Sequence, residues 1–399
     1  MANDETSVDH ETGVPHNPTT RERSNLPFPV VGLGASAGGL VALKQFLEQM
    51  PADSGLAFVV ILHLSPKHES VADKVLKTST RMTVVQVTEA VTVEPNHVYV
   101  ISPNHDLSMS DSYLRAIPID RPLGRHIAID LFFRTLADTH QDKAVGIVLS
   151  GSDSDGAVGI ARIKEQGGIT FAQSPEDAEY DDMPRHAIAT EQIDFVMPVA
   201  EMPNKLVEWW RNAREIQLPE TEQGKRIIPS PPDTSEDAER ALRDILDILA
   251  TRSGHDFRQY KRATVLRRIE RRMQVTLVKD LPGYREFLKT HTQETAALLD
   301  DMLIGVTNFF RDREAFDALE RQVIPALFRN AQKTEQVRVW VPACATGEEA
   351  YSIAMLLADQ AEALPAPAQF QVFASEAYQA SPHGTSPALG TGVLVSEAA

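Results

Sequence analysis

The sequence predicts an α/β domain built on a mostly parallel, doubly wound sheet, then an all-α helical domain, then an incomplete second α/β domain. Three observations carry this. Short β-branched runs alternate with amphipathic stretches from residue 28 to about 212. Helical periodicity without strand-like alternation fills the residues up to 310. A strand, a tight turn and a helix then reappear over 336–359, and the pattern lapses after Ser375. Strands that alternate with helices favour a parallel sheet, because each crossover helix returns the chain to the edge it left.

Residues 1–27 are polar and acidic, with neither the apolar stretch of a signal peptide nor the basic, acid-poor character of a transit peptide, and are expected to form a disordered tail. "FPVVGL", "LAFVVIL", "HVYVIS" and "KAVGIVLS" are too short for helices and rich in valine and isoleucine, so they read as strands. Leu40, Leu43, Phe46, Leu47 and Met50 mark one face of a helix after the first strand. "GGITFAQ" and "IDFVMP" are further strands, and the domain is assigned to 28–212. "RNAREIQLPETEQGKRIIPSPPDTSED" mixes charge with prolines and predicts a linker over 213–236. Ala238, Ala241, Leu242, Ile245, Leu246, Ile248 and Leu249 hold one face of the next helix, Gly254 stops it, and the helical domain is assigned to 237–310. "QVRVWVPACATGEEAYSIAMLLAD" and "FQVFAS" supply strand, turn, helix and strand for a partial α/β domain over 311–375, while 376–399 contains no convincing element and is expected to be disordered. There are no internal repeats.

With 399 residues, 42% of them hydrophobic, the chain can support about two or three domains. A net charge of -17 argues against nonspecific nucleic-acid binding. The single cysteine, Cys344, excludes a disulfide framework and fits a reducing compartment. No run approaches the roughly 18 apolar residues of a membrane span. A cytoplasmic protein without membrane insertion is the expectation.

"VVGLGASAGGL" fits two chemistries. Gly32, Gly34 and Ala37 match the turn that receives a dinucleotide pyrophosphate, whereas Gly34, Ser36 and Gly38 match the turn that lifts a nucleophilic serine. A dinucleotide fold needs an acid at the end of its second strand for the ribose hydroxyls. That strand ends instead in His63, the residue type that deprotonates a serine hydroxyl. A catalytic histidine needs a carboxylate on its other nitrogen, and "LSGSDSDG" offers Asp155 where another strand ends before a helix. Ligands of open parallel sheets gather at the carboxyl ends of strands, where all three residues are expected. Taken singly, Ser36 reads as a helix N-cap, His63 as a satisfied buried histidine and Asp155 as a turn former. The three together favour the serine nucleophile. Their order, Ser, His, Asp, is not that of the α/β-hydrolases.

"GLGASAGG", "LHLSP", "LSGSDSDG" and "AQSPEDAEYDDMPRHAIATEQIDFVMP" resemble, in order and spacing, the catalytic domain of CheB-type protein-glutamate methylesterases of bacterial chemotaxis. The resemblance covers 28–212. It implies hydrolysis of glutamate methyl esters on chemoreceptor helices, with Ser36 as nucleophile, His63 as general base and then acid, Asp155 as orienting acid, and no cofactor. Backbone N–H groups near Ser36 and Ser152 are expected to hold the oxyanion. Two departures stand out. Asp153 occupies a position usually taken by glycine, and a second carboxylate there competes for His63 or disfavours the anionic intermediate, which predicts a reduced rate. Only a short tail stands where the family carries a receiver domain, so regulation through an attached receiver is not expected.

"FRQYKRATVLRRIERRM" places Arg258, Lys261, Arg262, Arg267, Arg268, Arg271 and Arg272 against one acid, Glu270. Five of them, Arg258, Lys261, Arg262, Arg268 and Arg272, fall near helical spacing and predict one positive stripe. This stretch, through "LLDDMLIGVTNFFRDREAF", resembles the helical domain of CheR-type receptor methyltransferases, in which a basic helix faces acidic receptor helices. "WVPACATGEEAYSIAMLL" resembles the turn of their S-adenosylmethionine domain. The resemblance assigns Thr307, Arg311 and Glu349 to the surroundings of S-adenosylmethionine, with Arg311 suited to the methionyl carboxylate. A purely structural alternative for Glu349 is a capping box with Thr346. Beyond Ser375 the sequence departs from the family, so turnover of S-adenosylmethionine is not expected. The competing reading of the whole chain is a non-catalytic module that binds receptors or signalling proteins, and a nucleotide-dependent oxidoreductase is a distant third.

Overall fold

A computed structural model describes residues 24–63, 72–119, 127–216, 218–219, 232–303, 309–311, 313–330, 336–344, 347–364, 369–375 and 393–395. The chain divides into two compact units, residues 1–303 and 304–399.

The first unit opens with β1 (Val30–Ala35), α1 (Gly39–Gln49), β2 (Ala57–Leu62), α2 (Ala72–Ser79), β3 (Thr83–Val87), β4 (Val91–Thr92) and β5 (His97–Ile101). It continues through β6 (His105–Ser110), β7 (Tyr113–Pro118), α3 (Ala128–His140), β8 (Ala144–Val148), α4 (Ala157–Glu165), β9 (Ile169–Gln173), α5 (Asp182–Ala189), β10 (Phe195–Met197) and α6 (Met202–Glu215). Seven of these strands form a parallel sheet in the order β10-β9-β8-β1-β2-β5-β3. Every residue of β1, β2, β8 and β9 is buried, because helices cover both faces, and this is why β1, β2 and β8 are unbroken apolar runs rather than alternating ones. Strand order reverses between β1 and β8, which opens a crevice at their carboxyl ends.

The glycines of the opening motif serve packing. A Cβ on Gly34 would lie 2.5 Å from Ile129 Cγ2, and one on Gly32 would lie 2.7 Å from Phe133 Cε1. Both atoms belong to α3, which lies directly on β1 and leaves no room for a side chain there.

A small antiparallel sheet, β4-β7-β6, was not expected from the sequence. Its hairpin turns at Asp111-Ser112, with Asp111 at φ 51. Without a glycine the pair carries only a weak hairpin signal. The parallel edge strand β3 was also missed; only two of its five residues, Val84 and Val87, are buried.

The helical part comprises α7 (Pro232–Ser253), α8 (Arg262–Thr276), α9 (Leu281–Thr290) and α10 (Thr292–Met302). Helix α6 runs to Glu215 and α7 starts at Pro232, so each extends into the stretch expected to be linker; proline is tolerated in a first helical turn because its missing N–H has no intrahelical partner there. Ala241, Leu242, Ile245 and Leu249 pack against Leu266, Ile269, Met273, Tyr284, Leu288 and Leu298. Asp280 caps α9, accepting from Gly283 N–H at 2.7 Å.

Helix α8 joins these helices to the amino edge of the parallel sheet. Arg271, 1% exposed, donates to Gly168 O at 3.1 Å, to Asp301 at 2.6 Å and to Asp194. Lys164 Nζ lies 3.6 Å from Asp194 Oδ1. Trp209 Nε1–H donates to Gln274 Oε1 at 3.3 Å beside this network. The expected basic stripe is thereby corrected. Arg268 and Arg272 are buried, with Arg272 bound at both guanidinium positions by Glu294 at 2.8 and 2.7 Å. Arg258 pairs with Asp256 and Arg262 with Glu239, while Lys261 and Arg267 are exposed. Charge spacing could not separate a solvated face from a buried one, because the carboxylates that pair with it lie far away in sequence.

The second unit holds α11 (Arg313–Ala318), a π-helical stretch (Leu319–Val323), α12 (Ile324–Asn330), β11 (Val337–Pro342), α13 (Glu348–Glu362), β12 (Phe370–Ser375) and β13 (Val393–Val395). β11 and β12 are parallel, and β13 pairs antiparallel with β12. β13 falls where the sequence pattern indicated no element; three residues are too few to establish a period.

Candidate active site

The site is assembled at the crevice between β1 and β8. Ala35 pairs with Leu62 in the parallel register, so Ser36 and His63 follow adjacent strands at the same level. His63 N–H donates to Ala35 O at 3.3 Å, which continues the ladder to the histidine itself. Asp155 comes from the turn after β8. It is 3% exposed and held from three sides: Ile129 N–H donates to Oδ2 at 2.9 Å, Asp130 N–H to Oδ1 at 2.8 Å, and His63 Nε2 lies 2.8 Å from Oδ2. The two amides are at the amino end of α3, where helix geometry leaves N–H groups unpaired and favours an anion.

Asp153 also reaches the imidazole. Its Oδ2 lies 3.0 Å from His63 Nδ1, and its Oδ1 accepts from Asp155 N–H at 2.9 Å. Burial alone would lower the His63 pKa. The hydrogen bond and charge of Asp155, with those of Asp153, outweigh it and hold the pKa above the ordinary histidine value. Behind Asp155, burial raises Asp130 to about 6 against the opposing hydrogen bond from Gly159 N–H, and the charge of Asp155 adds to the rise.

Among the described residues, His63 and Asp155 are in contact, and no hydrogen bond joins Ser36 Oγ to the imidazole. Nor does Ser36 cap α1, since the cap is Gly38 at φ 71 with no side-chain hydrogen bond. Ser36 N–H is committed to Ser150 O at 2.9 Å, which removes that amide from the expected oxyanion donors. The amides of Ala37, Gly38 and Ser152 make no hydrogen bond among the described residues and remain available near the turn.

Sequence reasoning passed over the residues that hold the turn. A Cβ on Gly151 would lie 2.0 Å from Met183 Sδ and 3.0 Å from Ser36 Cβ, so the two strand-end turns touch only because this position is glycine. Ser150 Oγ donates to Ala37 O at 2.8 Å and accepts from Tyr180 N–H at 3.0 Å. Both residues lie inside the motif that contains Asp155, where the acid drew the attention.

In the second unit, Gly347 at φ 101 starts α13, and Phe310 N–H donates to Ser352 Oγ at 2.9 Å. That bond ties the segment bearing exposed Arg311 to α13, whose first turn carries exposed Glu349. Because α13 begins at Glu348, Glu349 is its second residue and not the third position of a capping box. Thr307 and Thr346 lie outside the described residues. A strand, a left-handed glycine and a helix amino end beside an arginine fit the methionyl end of S-adenosylmethionine. Among the described residues there is no cluster of metal-ligating side chains, and no helix is long and apolar enough to cross a membrane.

The chain matches the family model "CheB methylesterase" over residues 31–206. Residues 31–206 are a CheB methylesterase domain. They are followed by matches to "CheR methyltransferase, all-alpha domain" over 240–303 and "CheR methyltransferase, SAM binding domain" over 305–381. An uncharacterized 104.1 kDa protein of Rhodobacter capsulatus is 37% identical over 308 residues, which cover 74% of this chain and 32% of that protein. A protein-glutamate methylesterase/protein-glutamine glutaminase of Geobacter metallireducens is 34% identical over 184 residues, 45% of this chain and 50% of that protein. The chain thus spans about a third of the one relative and half of the other. The solved CheB methylesterase catalytic domain of Thermotoga maritima aligns with 46% of this chain and 99% of its own, at 23% identity and a TM-score of 0.43. The CheB domain carries Ser36, His63, Asp153 and Asp155; the CheR-type domains carry the basic helix α8 and the glycine turn at Gly347.

Proposed function

We propose that the CheB domain hydrolyses glutamate methyl esters on chemoreceptor helices or related signalling proteins through Ser36, His63 and Asp155. The observation that carries this reading is the 2.8 Å contact between His63 and a buried, amide-anchored Asp155 at the strand-order switch point, one strand away from Ser36. In the reaction, His63 takes the proton of Ser36 Oγ as the oxygen attacks the ester carbonyl. Asp155 stabilises the resulting imidazolium. The carbonyl oxygen becomes an oxyanion, for which the amides of Ala37, Gly38 and Ser152 are the donors, each contributing roughly 3 kcal/mol. The C–O bond to the methoxy group then breaks, and His63 returns the proton to release methanol. Water, deprotonated by His63, cleaves the acyl-serine and leaves glutamate. Relatives are named glutaminases as well as methylesterases, and the same sequence with ammonia as leaving group accounts for glutamine.

Methanol release from a methylated receptor fragment, compared between the wild type and Ser36→Ala, tests the proposal. Loss of release in the variant supports it, and equal rates favour the non-catalytic binding module. For the CheR-type domains we propose S-adenosylmethionine binding without methyl transfer, with Thr307, Arg311 and Glu349 around the cofactor. The cofactor would supply an electrophilic methyl group; the chain supplies Arg311 and the α13 amino end for its carboxylate. Calorimetric binding together with absent transfer of a labelled methyl group would support this. Methyl transfer would overturn it.

A further inference from the structure

A histidine that accepts a proton from serine needs one nitrogen with a free lone pair, while its other N–H is held by the orienting acid. Here Asp155 stands at Nε2, 2.8 Å away, so Nδ1 is the nitrogen left for Ser36. Asp153 Oδ2 stands 3.0 Å from that same nitrogen. A carboxylate oxygen at this distance repels a lone pair and attracts an N–H, so the two acids together favour an imidazolium that donates to both. A ring in that state has no lone pair to offer a hydroxyl.

Asp153 is held where it is. Its Oδ1 accepts from Asp155 N–H, its backbone carbonyl lies 3.1 Å from His186 Nδ1, and Met183 packs against Gly151 two residues earlier. Yet its side chain is 29% exposed, and rotation toward water would withdraw its carboxylate from Nδ1. Among the described residues, other charged groups around the crevice are Asp130 of α3 behind Asp155, His186 of α5 on the Asp153 backbone, and Glu179, whose Oε2 lies 2.9 Å from where a Gly38 Cβ would be.

We propose that Asp153 is a positioning residue that restrains the esterase: its carboxylate occupies the His63 nitrogen that must receive the Ser36 proton. The restraint rests on the esterase reading and refines it. It is released by loss of the His63 proton or by rotation of Asp153 into solvent, so the domain works at neutral pH below the rate its machinery permits.

Full-length wild type, Asp153→Gly and Asp153→Asn are to be compared in two ways: the pH profile of kcat/KM for methanol release, and titration of the His63 ring protons by NMR. Asn keeps the shape of Asp without its charge, and it covers the case in which the glycine variant does not fold. The His63 pKa is expected to fall in both variants, because the charge of Asp153 that favours the imidazolium is gone. The acid limb of the profile should move down with it, and the rate at pH 6 should rise severalfold. An unmoved His63 pKa, or, with a wild type that releases methanol, variant rates at pH 6 no higher than its own, overturns the proposal; a purely structural Asp153 gives that result. If no protein releases methanol while His63 still shifts, the failure lies in the esterase reading and not in the Asp153 contact.

Discussion

Two clusters of charge lie at opposite edges of one parallel sheet, and they are matched differently. At the amino edge, Arg271 and Lys164 face Asp194 and Asp301, two cations against two anions. Burial alone would raise Asp194, but Arg271 and then Lys164 outweigh it and hold the carboxyl below its usual range. At the carboxyl edge, Asp153 and Asp155 both meet a single imidazole, and Asp130 lies behind Asp155. There the balance leaves His63 and Asp130 with pKa values pushed upward, toward neutrality for the acid. Matched buried charge fixes one helix against another; mismatched charge leaves groups that exchange protons under working conditions.

The largest effect that would break this contrast is at the carboxyl edge. Ser36→Ala should lower ester hydrolysis by at least about 10⁴-fold, since removing a triad member leaves only the oxyanion donors and binding. Arg271→Ala acts on the other cluster. It strands Asp194 and Asp301 in the interior and should cost roughly 3–5 kcal/mol in urea unfolding. If the loss is under about 1 kcal/mol, the amino-edge network does not hold α8 to the sheet.

Asp130 sharpens the contrast by pH. An acid whose folded pKa is raised binds its proton more tightly when folded, so its contribution is full below the unfolded value near 3.8 and declines as pH rises to about 6. Unfolding free energy should therefore fall by about 3 kcal/mol across that window from this group, and Asp130→Asn, which keeps an oxygen for Gly159 N–H, should flatten the decline. The smallest effect is expected on the exposed side of the same helix that carries Arg271. Arg267→Glu should change stability by no more than about 0.5 kcal/mol.

The centre of the parallel sheet was legible because β1, β2 and β8 are apolar throughout and lie between amphipathic helices, a pattern that needs no tertiary information. His63 and Asp155 were legible for a related reason: each ends such a strand, and strand ends converge. What could not be read was placement relative to distant residues. The stripe through Arg268 and Arg272 looked solvent-facing until Glu294 and the amino edge of the sheet surrounded that helix. The Ser36 amide looked available until Ser150 O took it. Asp153 stood out in the sequence as an extra acid, but which imidazole nitrogen it meets depends on how Asp155 is anchored by α3.

The central claim is that Ser36 is a nucleophile served by His63. Labelling with a serine-directed phosphonate, read by peptide mass spectrometry on the full chain and on His63→Ala, addresses it most directly. A single adduct at Ser36 that forms far more slowly in the variant is the predicted result. An adduct elsewhere, or equal labelling rates in the two proteins, would contradict it.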